Sequence, residues 1–144
     1  MCVLGGWVGF KELMVSKKED ESKGVTSFYF VHTDGSKIPD NFRPGQFLAI
    51  KIPKSAFGGK YDHDFCRNYS LSCSPGQGYL RCSIGKNIDE NAEDESPYYG
   101  VVSNYMHDHV NEGDKVLVST FNFSIFMLHQ WIIYIILLTT IIIH

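Results

Sequence analysis

Short apolar runs separated by turn residues fill the chain from Trp7 to Val118, and this pattern limits the possible folds more than any other feature. Apolar and β-branched runs of roughly four to eight residues, bounded by Gly, Pro, Asn or Asp, are typical of strands, whereas helical bundles need longer periodic segments. The six predicted strands are Phe10–Val15, Val25–Val31, Gln46–Ile52, Arg67–Ser72, Tyr79–Ile84 and Asp114–Ser119.

One helix interrupts this pattern. Ser103 is suited to cap the first turn of a helix over Asn104–Val110, and Gly113 follows its end. The charged stretch Lys17–Ser22 predicts a hairpin, and the acidic stretch Asn87–Ser96 predicts an exposed loop. About six short strands and one short helix predict an all-β fold, a small antiparallel Greek-key barrel.

The composition changes near Ser119, because the segment from Phe121 to His144 contains no Asp, Glu, Lys or Arg. We therefore predict a barrel domain over 7–120 and an apolar C-terminal tail over 121–144. The tail is long enough to cross a bilayer as a helix, but it lacks flanking Lys or Arg residues that would fix its orientation.

We favour the interpretation that the tail is a translated non-coding stretch or a misjudged gene end, since Ile, Phe, Tyr and Asn are the residues that AT-rich DNA encodes. A membrane anchor is the alternative. Comparing the gene with its transcript distinguishes the two, because a continuous spliced message encoding the tail would rule out the favoured interpretation.

Charge and cysteine content exclude several classes of function. Thirteen Lys and Arg against 16 Asp and Glu give a net charge of −3, which offers no basic field for a nucleic-acid backbone. The four cysteines form no CxxC pair, and His107 and His109 lie two residues apart on the predicted helix, so no metal site is predicted. The N-terminus lacks the pattern of a secretory signal, so we expect a cytoplasmic protein, with a tail-anchored membrane protein as the alternative.

Two segments carry the candidate binding residues. In Arg67-Asn68-Tyr69-Ser70, strand alternation places Arg67 and Tyr69 on one face and Ser70 on the other. The segment Gly100–Tyr105 opens the helix, where free backbone N–H groups and the positive end of the helix dipole suit a phosphate. Either segment alone is more often an ordinary strand or an ordinary cap. Their combination in this order favours a binding site.

These ordered segments resemble the FAD-binding domain of the ferredoxin-NADP reductase superfamily, and most closely that of flavohemoglobins. The similarity extends from Trp7 to about Thr120. The matching pieces are Gly6–Phe10, Glu21-Ser22, Thr26–Phe30, Arg43–Leu48, Arg67–Ser72, Val102–Asp108 and Gly113-Asp114.

The resemblance implies FAD as the cofactor. By the family's motif, Arg67 would neutralise the FAD pyrophosphate, Tyr69 would lie against the isoalloxazine ring, and Ser70 would hydrogen-bond near flavin N5. The backbone amides of Val102 and Ser103 would hold phosphate oxygens. The full set of expected cofactor-binding residues is Phe47, Arg67, Asn68, Tyr69, Ser70, Val102 and Ser103.

Phe47 stands where relatives often have a Tyr facing the adenine side of the cofactor, so stacking would persist without the phenolic hydrogen bond. No catalytic acid or base is expected, because the flavin supplies the hydride and one-electron chemistry. In complete relatives a globin domain with heme precedes this region and an NAD(P)H domain follows it, and electrons pass from NAD(P)H through FAD to heme for nitric oxide detoxification. The chain contains neither domain, so we expect a truncated fragment of such a protein.

Two alternatives stay open. The first is a membrane-anchored flavin reductase of the cytochrome b5 reductase type, with the tail as its anchor. The second is a non-catalytic flavin-binding fragment whose barrel does not close, since the chain departs from the family pattern after the sixth strand and retains only Lys86 where relatives have a basic pair.

Overall fold

A computed structural model describes residues 7–43, 45–87 and 100–123, with side chains described through Ser119. The elements are β1 (Phe10–Ser22), β2 (Val25–His32), β3 (Gln46–Ile52), β4 (Phe65–Ser70), β5 (Leu80–Gly85), α1 (Val101–His109) and β6 (Lys115–Phe123), with a short 3₁₀ helix over Lys54–Phe57. The prediction of an all-β fold with six antiparallel strands and a short α-helix is confirmed.

The six strands form one sheet that closes on itself. Their order is β4-β3-β6-β1-β2-β5, and all neighbouring pairs are antiparallel. The first and last strands of that order meet where Leu71 bridges Cys82 and the Ser72 amide donates to the Arg81 carbonyl at 2.8 Å. We call this contact, Leu71-Ser72 against Arg81-Cys82, the seam. It joins the two ends of the sheet into the predicted barrel, which argues against the alternative in which the barrel does not close.

The inward face of each strand supplies the barrel core. Alternate residues of paired strands point to the same side, so each cross-strand pair on the inner face adds two apolar side chains to one interior. The apolar residues completely inaccessible to solvent are Leu13, Val15, Phe28, Phe30, Leu48, Ile50, Leu80, Cys82, Ile84, Met106 and Val118. Each buried aliphatic or aromatic side chain contributes about 1.5–3 kcal/mol of hydrophobic stabilisation.

Strand β1 is longer than the sequence predicted. The hairpin expected over Lys17–Ser22 is wrong, because β1 continues to Ser22 and the chain turns at Lys23-Gly24. Lys17 and Glu19 lie on the outer face of a two-stranded ribbon, where Glu19 accepts hydrogen bonds from Lys17 at 2.8 Å and from the Tyr29 hydroxyl at 2.9 Å. The sequence of this solvated part of β1 is as polar as that of a turn, which is why a hairpin was predicted there.

Helix α1 begins earlier than predicted. Ser103 is not its cap: the helix starts at Val101 with Gly100 as the N-cap, and the Ser103 hydroxyl donates back to the Gly100 carbonyl at 3.0 Å. Asn87, expected in an exposed loop, is half-buried, and its amide donates to the Asn104 side-chain oxygen at 3.0 Å. The rest of that predicted loop, 88–96, lies outside the described residues.

Strand β6 extends past the predicted domain end at residue 120. Phe123 pairs with Gln46 and Asn122 with Phe47, so the first three residues of the predicted tail continue the ladder with β3. The remainder, 124–144, lies outside the described residues. Within the part of the chain that is described, no helix is long and apolar enough to span a membrane, and no group of three or more potential metal ligands occurs.

We predict that Gly100 is required sterically as well as conformationally. A Cβ atom there would lie 2.8 Å from the Asn87 Cβ, at a φ of +66° that L-residues rarely adopt. We expect Gly100→Ala to lower the free energy of unfolding by about 2–4 kcal/mol, because strain and overlap add. Gly113→Ala is the control, since φ is +90° but nothing lies within 4 Å, and should cost about 1–2 kcal/mol. Equal losses in chemical denaturation would contradict the steric role of Asn87.

Candidate binding cleft

The candidate site lies where β4 and β5 separate. Antiparallel register counted from the seam would set Tyr69 opposite Ile84 and Arg67 opposite Lys86, but neither pair forms a bridge. The first turn of α1 borders the gap, which forms a cleft of about 480 Å³ that we call the β4–α1 cleft. Its lining residues are Arg67, Asn68, Tyr69, Gly85, Lys86, Asn87, Gly100, Val102 and Ser103.

The β3–β4 register fixes which residues of β4 face the cleft. Arg67 and Tyr69 pair with Ile50 and Leu48, which are fully buried, so both are on the inner face of the sheet. Because that inner face is open beyond the seam, both side chains border the cleft, with Tyr69 at the edge of the core. Ser70 lies on the outer face, and the predicted division of the two faces is confirmed.

Arg67 brings an available cation to the cleft. Its side chain is exposed, and its guanidinium donates to the Cys66 carbonyl at 3.0 Å. No carboxylate in the described part of the chain lies within ion-pair distance of it. A guanidinium has five N–H donors in a planar fork, so most remain available to a phosphate or carboxylate in paired geometry.

Tyr69 forms a neutral aromatic wall beside this cation. Burial raises the pKa of its phenol to about 12, against the opposing effect of the nearby Arg67 charge. Its ring packs against the edge of the hydrophobic core, and its carbonyl accepts a weak hydrogen bond from the Cys82 thiol at 3.8 Å. The side chain therefore offers a flat, uncharged surface at neutral pH and no general base.

The first turn of α1 contributes backbone donors. The amide of Asn104 makes the first intrahelical bond, to the Gly100 carbonyl at 2.8 Å. The amides of Val102 and Ser103 precede it and have no intrahelical acceptor. The Val102 side chain is buried in the core, so this residue presents its backbone to the cleft. Free N–H groups at the positive end of a helix dipole are a favourable environment for an anion.

Four cleft residues were absent from the predicted site: Gly85, Lys86, Asn87 and Gly100. The Lys86 ammonium forms an ion pair with Asp108 of α1 at 2.5 Å, and this hydrogen bond lowers the pKa of the Asp108 carboxyl. Lys86 thus lies at the cleft wall but is held by the helix. Lys86 was noticed in the sequence as the basic residue that remains after β5. Its place in the cleft could not be predicted, because it depends on where β4 and β5 separate.

Two predicted site residues do not line the cleft. Phe47 and Ser70 are cross-strand partners on the outer face of the sheet, where Phe47 is half-buried and Ser70 is exposed. The cleft therefore brings together five of the predicted residues: Arg67, Asn68, Tyr69, Val102 and Ser103. Phe47 of β3 and Ser70 of β4 lie side by side on the other face of the sheet.

A second cavity of about 380 Å³ lies beside the C-terminal half of α1, between the 3₁₀ helix and the start of β6. It contains none of the predicted site residues. Glu12, Asp114 and Lys115 contribute charges of both signs to its lining, and Lys115 pairs with Glu12 at 3.9 Å. The β4–α1 cleft is thus the cavity whose chemistry matches an anionic ligand.

The donor set of the β4–α1 cleft fits a diphosphate attached to a flat ring. A guanidinium and free helix amides on facing walls complement phosphate oxygens, and a neutral phenol ring beside them complements an aromatic plane.

Comparison with known proteins finds a consistent set of relatives, although no family model matches the chain. The chain is 41% identical over 116 residues to flavohemoprotein A of Dictyostelium discoideum, covering 81% of this chain and 28% of that protein. It is 44% identical over 115 residues to the flavohemoprotein of Bacillus thuringiensis subsp. konkukian, covering 80% of this chain and 26% of that protein.

Among solved structures, the chain is similar to the flavohem-like FAD/NAD-binding domain of nitric oxide dioxygenase from Vibrio cholerae. The TM-score is 0.65 at 30% identity, over 81% of this chain and 45% of that one. The chain thus spans about a quarter of the length of the flavohemoproteins that it matches. The predicted resemblance to flavohemoglobins is confirmed.

We predict that Tyr69 ionises at a pH well above the ordinary pKa of a tyrosine. Its pKa, raised from 10.0 to about 12, is set by burial, so phenolate absorbance should show a late step that Tyr69→Phe removes. The folded state retains this proton while the unfolded chain releases it near pH 10, so stability should fall as pH rises from 10 towards 12. A titration in which Tyr69→Phe removes an early step would contradict the assignment.

Proposed function

We propose that residues 7–120 form the FAD-binding domain of a flavohemoglobin-type reductase, with FAD held in the β4–α1 cleft. The observation that carries the proposal is the meeting of Arg67 with the free amides of α1 across one cleft, because these groups come from distant parts of the sequence. The similarity to flavohemoproteins across this same region supports FAD as the ligand that such a pair would hold.

The phosphate end of the cofactor would lie between the two walls. Arg67 would donate paired hydrogen bonds to one phosphate, and the amides of Val102 and Ser103 would donate to the other. Lys86 adds positive potential, although Asp108 offsets much of its charge. Asn68 would contribute a neutral polar contact from the same strand.

The ring end would follow the free edge of β4. Tyr69 would lie against the isoalloxazine ring from the cleft side. Ser70, on the opposite face, can reach the same ring only at the strand edge, where it would hydrogen-bond near N5. Phe47, paired with Ser70, would stack towards the adenine side. β4 has no strand partner on this edge beyond the seam in the described chain, so a ligand lying along it can contact both faces.

When bound, FAD would supply the redox chemistry, accepting hydride from NAD(P)H and passing electrons on to heme for nitric oxide detoxification. The chain's own residues would bind FAD, orient it and polarise its ring, and none of them would act as an acid or base. In such a reductase the NAD(P)H and heme domains would lie outside the region matched here, and we propose that the whole protein is cytoplasmic.

The two alternatives differ from this proposal in measurable ways. A membrane-anchored flavin reductase of the cytochrome b5 reductase type requires residues 124–144 to anchor it, and those residues lie outside the described chain. A non-catalytic flavin-binding fragment would retain FAD yet show no NAD(P)H oxidation when an NAD(P)H domain is supplied in trans.

We predict that the purified chain, incubated with FAD and freed of excess cofactor, retains a visible flavin absorption band. Arg67→Ala should weaken FAD binding by at least about tenfold, because a charge-assisted hydrogen bond is worth ~1.5–3 kcal/mol. Tyr69→Ala should weaken it by at least about fivefold, because stacking of an aromatic ligand ring on an aromatic side chain is worth ~1–3 kcal/mol. Arg43→Ala is the matched control: Arg43 is exposed, carries the same charge and lies outside the cleft lining.

The control separates site loss from general charge loss. Equal weakening by Arg43→Ala and Arg67→Ala would mean that net charge, and not the cleft, governs binding. No flavin band in the unmodified, demonstrably folded chain would overturn the proposal.

A further inference from the structure

Lys18 reaches the opposite end of the helix that forms the phosphate wall. Its ammonium donates hydrogen bonds to the carbonyls of His107 and Val110, each at 2.8 Å, across the sequence from β1 to the end of α1. The last carbonyls of a helix lack intrahelical partners and carry the negative end of its dipole, so a lysine there satisfies both needs. Neither the sequence motifs nor the proposed function accounts for this contact.

A β-bulge in β1 makes the contact possible. Val15 pairs with Phe30 and Lys17 with Tyr29, so Ser16 is an extra residue that reverses the side on which the following residues point, as far as the second register shift after Asp20. After the bulge, Lys18 pairs with the buried residue Phe28 and points inward, towards α1. Without the bulge, Lys17 would take that position.

The backbone at Lys18 is tied to the same region. Its amide donates to the Glu112 carboxylate at 2.8 Å, just beyond the end of α1. The Val15 amide donates to the Asp114 carbonyl at 2.9 Å, and the Gly113 amide donates to the Val15 carbonyl at 2.8 Å. The bulge and the turn after the helix thus form one connected unit.

Two residues in the C-terminal half of α1 also contact the barrel. The His107 ring donates through Nε2 to the Ile84 carbonyl at 2.8 Å, and Met106 is fully buried in the core. A helix of nine residues is only about 13 Å long and moves as a rigid body, so a displacement of its C-terminal end is transmitted to its first turn.

We propose that Lys18 is a positioning residue for diphosphate recognition. By holding the C-terminal end of α1, it sets the distance between the amides of Val102 and Ser103 and the guanidinium of Arg67. It thereby determines how strongly the cleft prefers FAD to a flavin without a diphosphate. This inference rests on the proposed function for its ligand, although the helix contact itself does not.

The test compares Lys18→Met with Lys17→Met. The two lysines are neighbours, each change removes one positive charge, and Lys17 points outward to pair with Glu19. FAD and riboflavin affinities are measured by flavin fluorescence. Lys18→Met should weaken FAD binding about five- to tenfold relative to Lys17→Met, with riboflavin changed by less than about twofold, because only FAD carries phosphates that reach the helix.

Amide hydrogen exchange without ligand provides an independent measurement. Exchange of the α1 amides should be faster in Lys18→Met than in Lys17→Met, and Lys18→Arg should restore most of the protection, since a guanidinium can also donate to two carbonyls. Equal exchange in the two Met variants, or equal weakening of FAD and riboflavin, would overturn the positioning role. If the wild-type chain binds no flavin, the proposed function fails, and the exchange comparison alone decides whether Lys18 holds the helix.

Discussion

The contact between β4 and β5 is confined to one end of the two strands, and the candidate site depends on this constraint. At the seam, the Ser72 amide and the Arg81 carbonyl join the strands, and Arg81 Nε adds a hydrogen bond to the Ser72 carbonyl at 2.9 Å. Beyond the seam the strands diverge, which leaves an unpaired strand edge inside a closed barrel. An edge of this kind exposes polar backbone and inward-facing side chains together, so it is an available place for an extended polar ligand.

Helix α1 makes the opening selective. If the gap were lined by β4 alone, it would present Arg67 to any anion. The first turn of α1 adds donors of fixed direction on the facing wall, and Asn87 holds that turn against the end of β5 through Asn104. At the other end, Lys18 fixes the last carbonyls. The charge of the cleft and its geometry are thus set by different residues, of which only some border the ligand.

Local sequence patterns predicted the parts of this arrangement that local physics determines. The bounds of β3, Gln46–Ile52, follow from a Gly before it and a Pro after it, and strand alternation correctly separated Tyr69 from Ser70. The bulge at Ser16 has no local signature, so the inward position of Lys18 was not predictable. Similarly, α1 starts at Val101 after a glycine N-cap that makes no side-chain cap hydrogen bond, so the capping preference of Ser103 predicted a start that is too late.

The central claim is that one cleft, formed by β4 and the first turn of α1, holds the diphosphate of FAD. The most direct test is a backbone amide NMR titration of the chain with FAD. The account predicts that the largest chemical-shift changes occur at Arg67, Asn68, Tyr69, Val102 and Ser103, with the α1 amides moving in the direction of stronger hydrogen bonding. Changes confined to the second cavity near Asp114 and Lys115, or no changes in either segment, would contradict it.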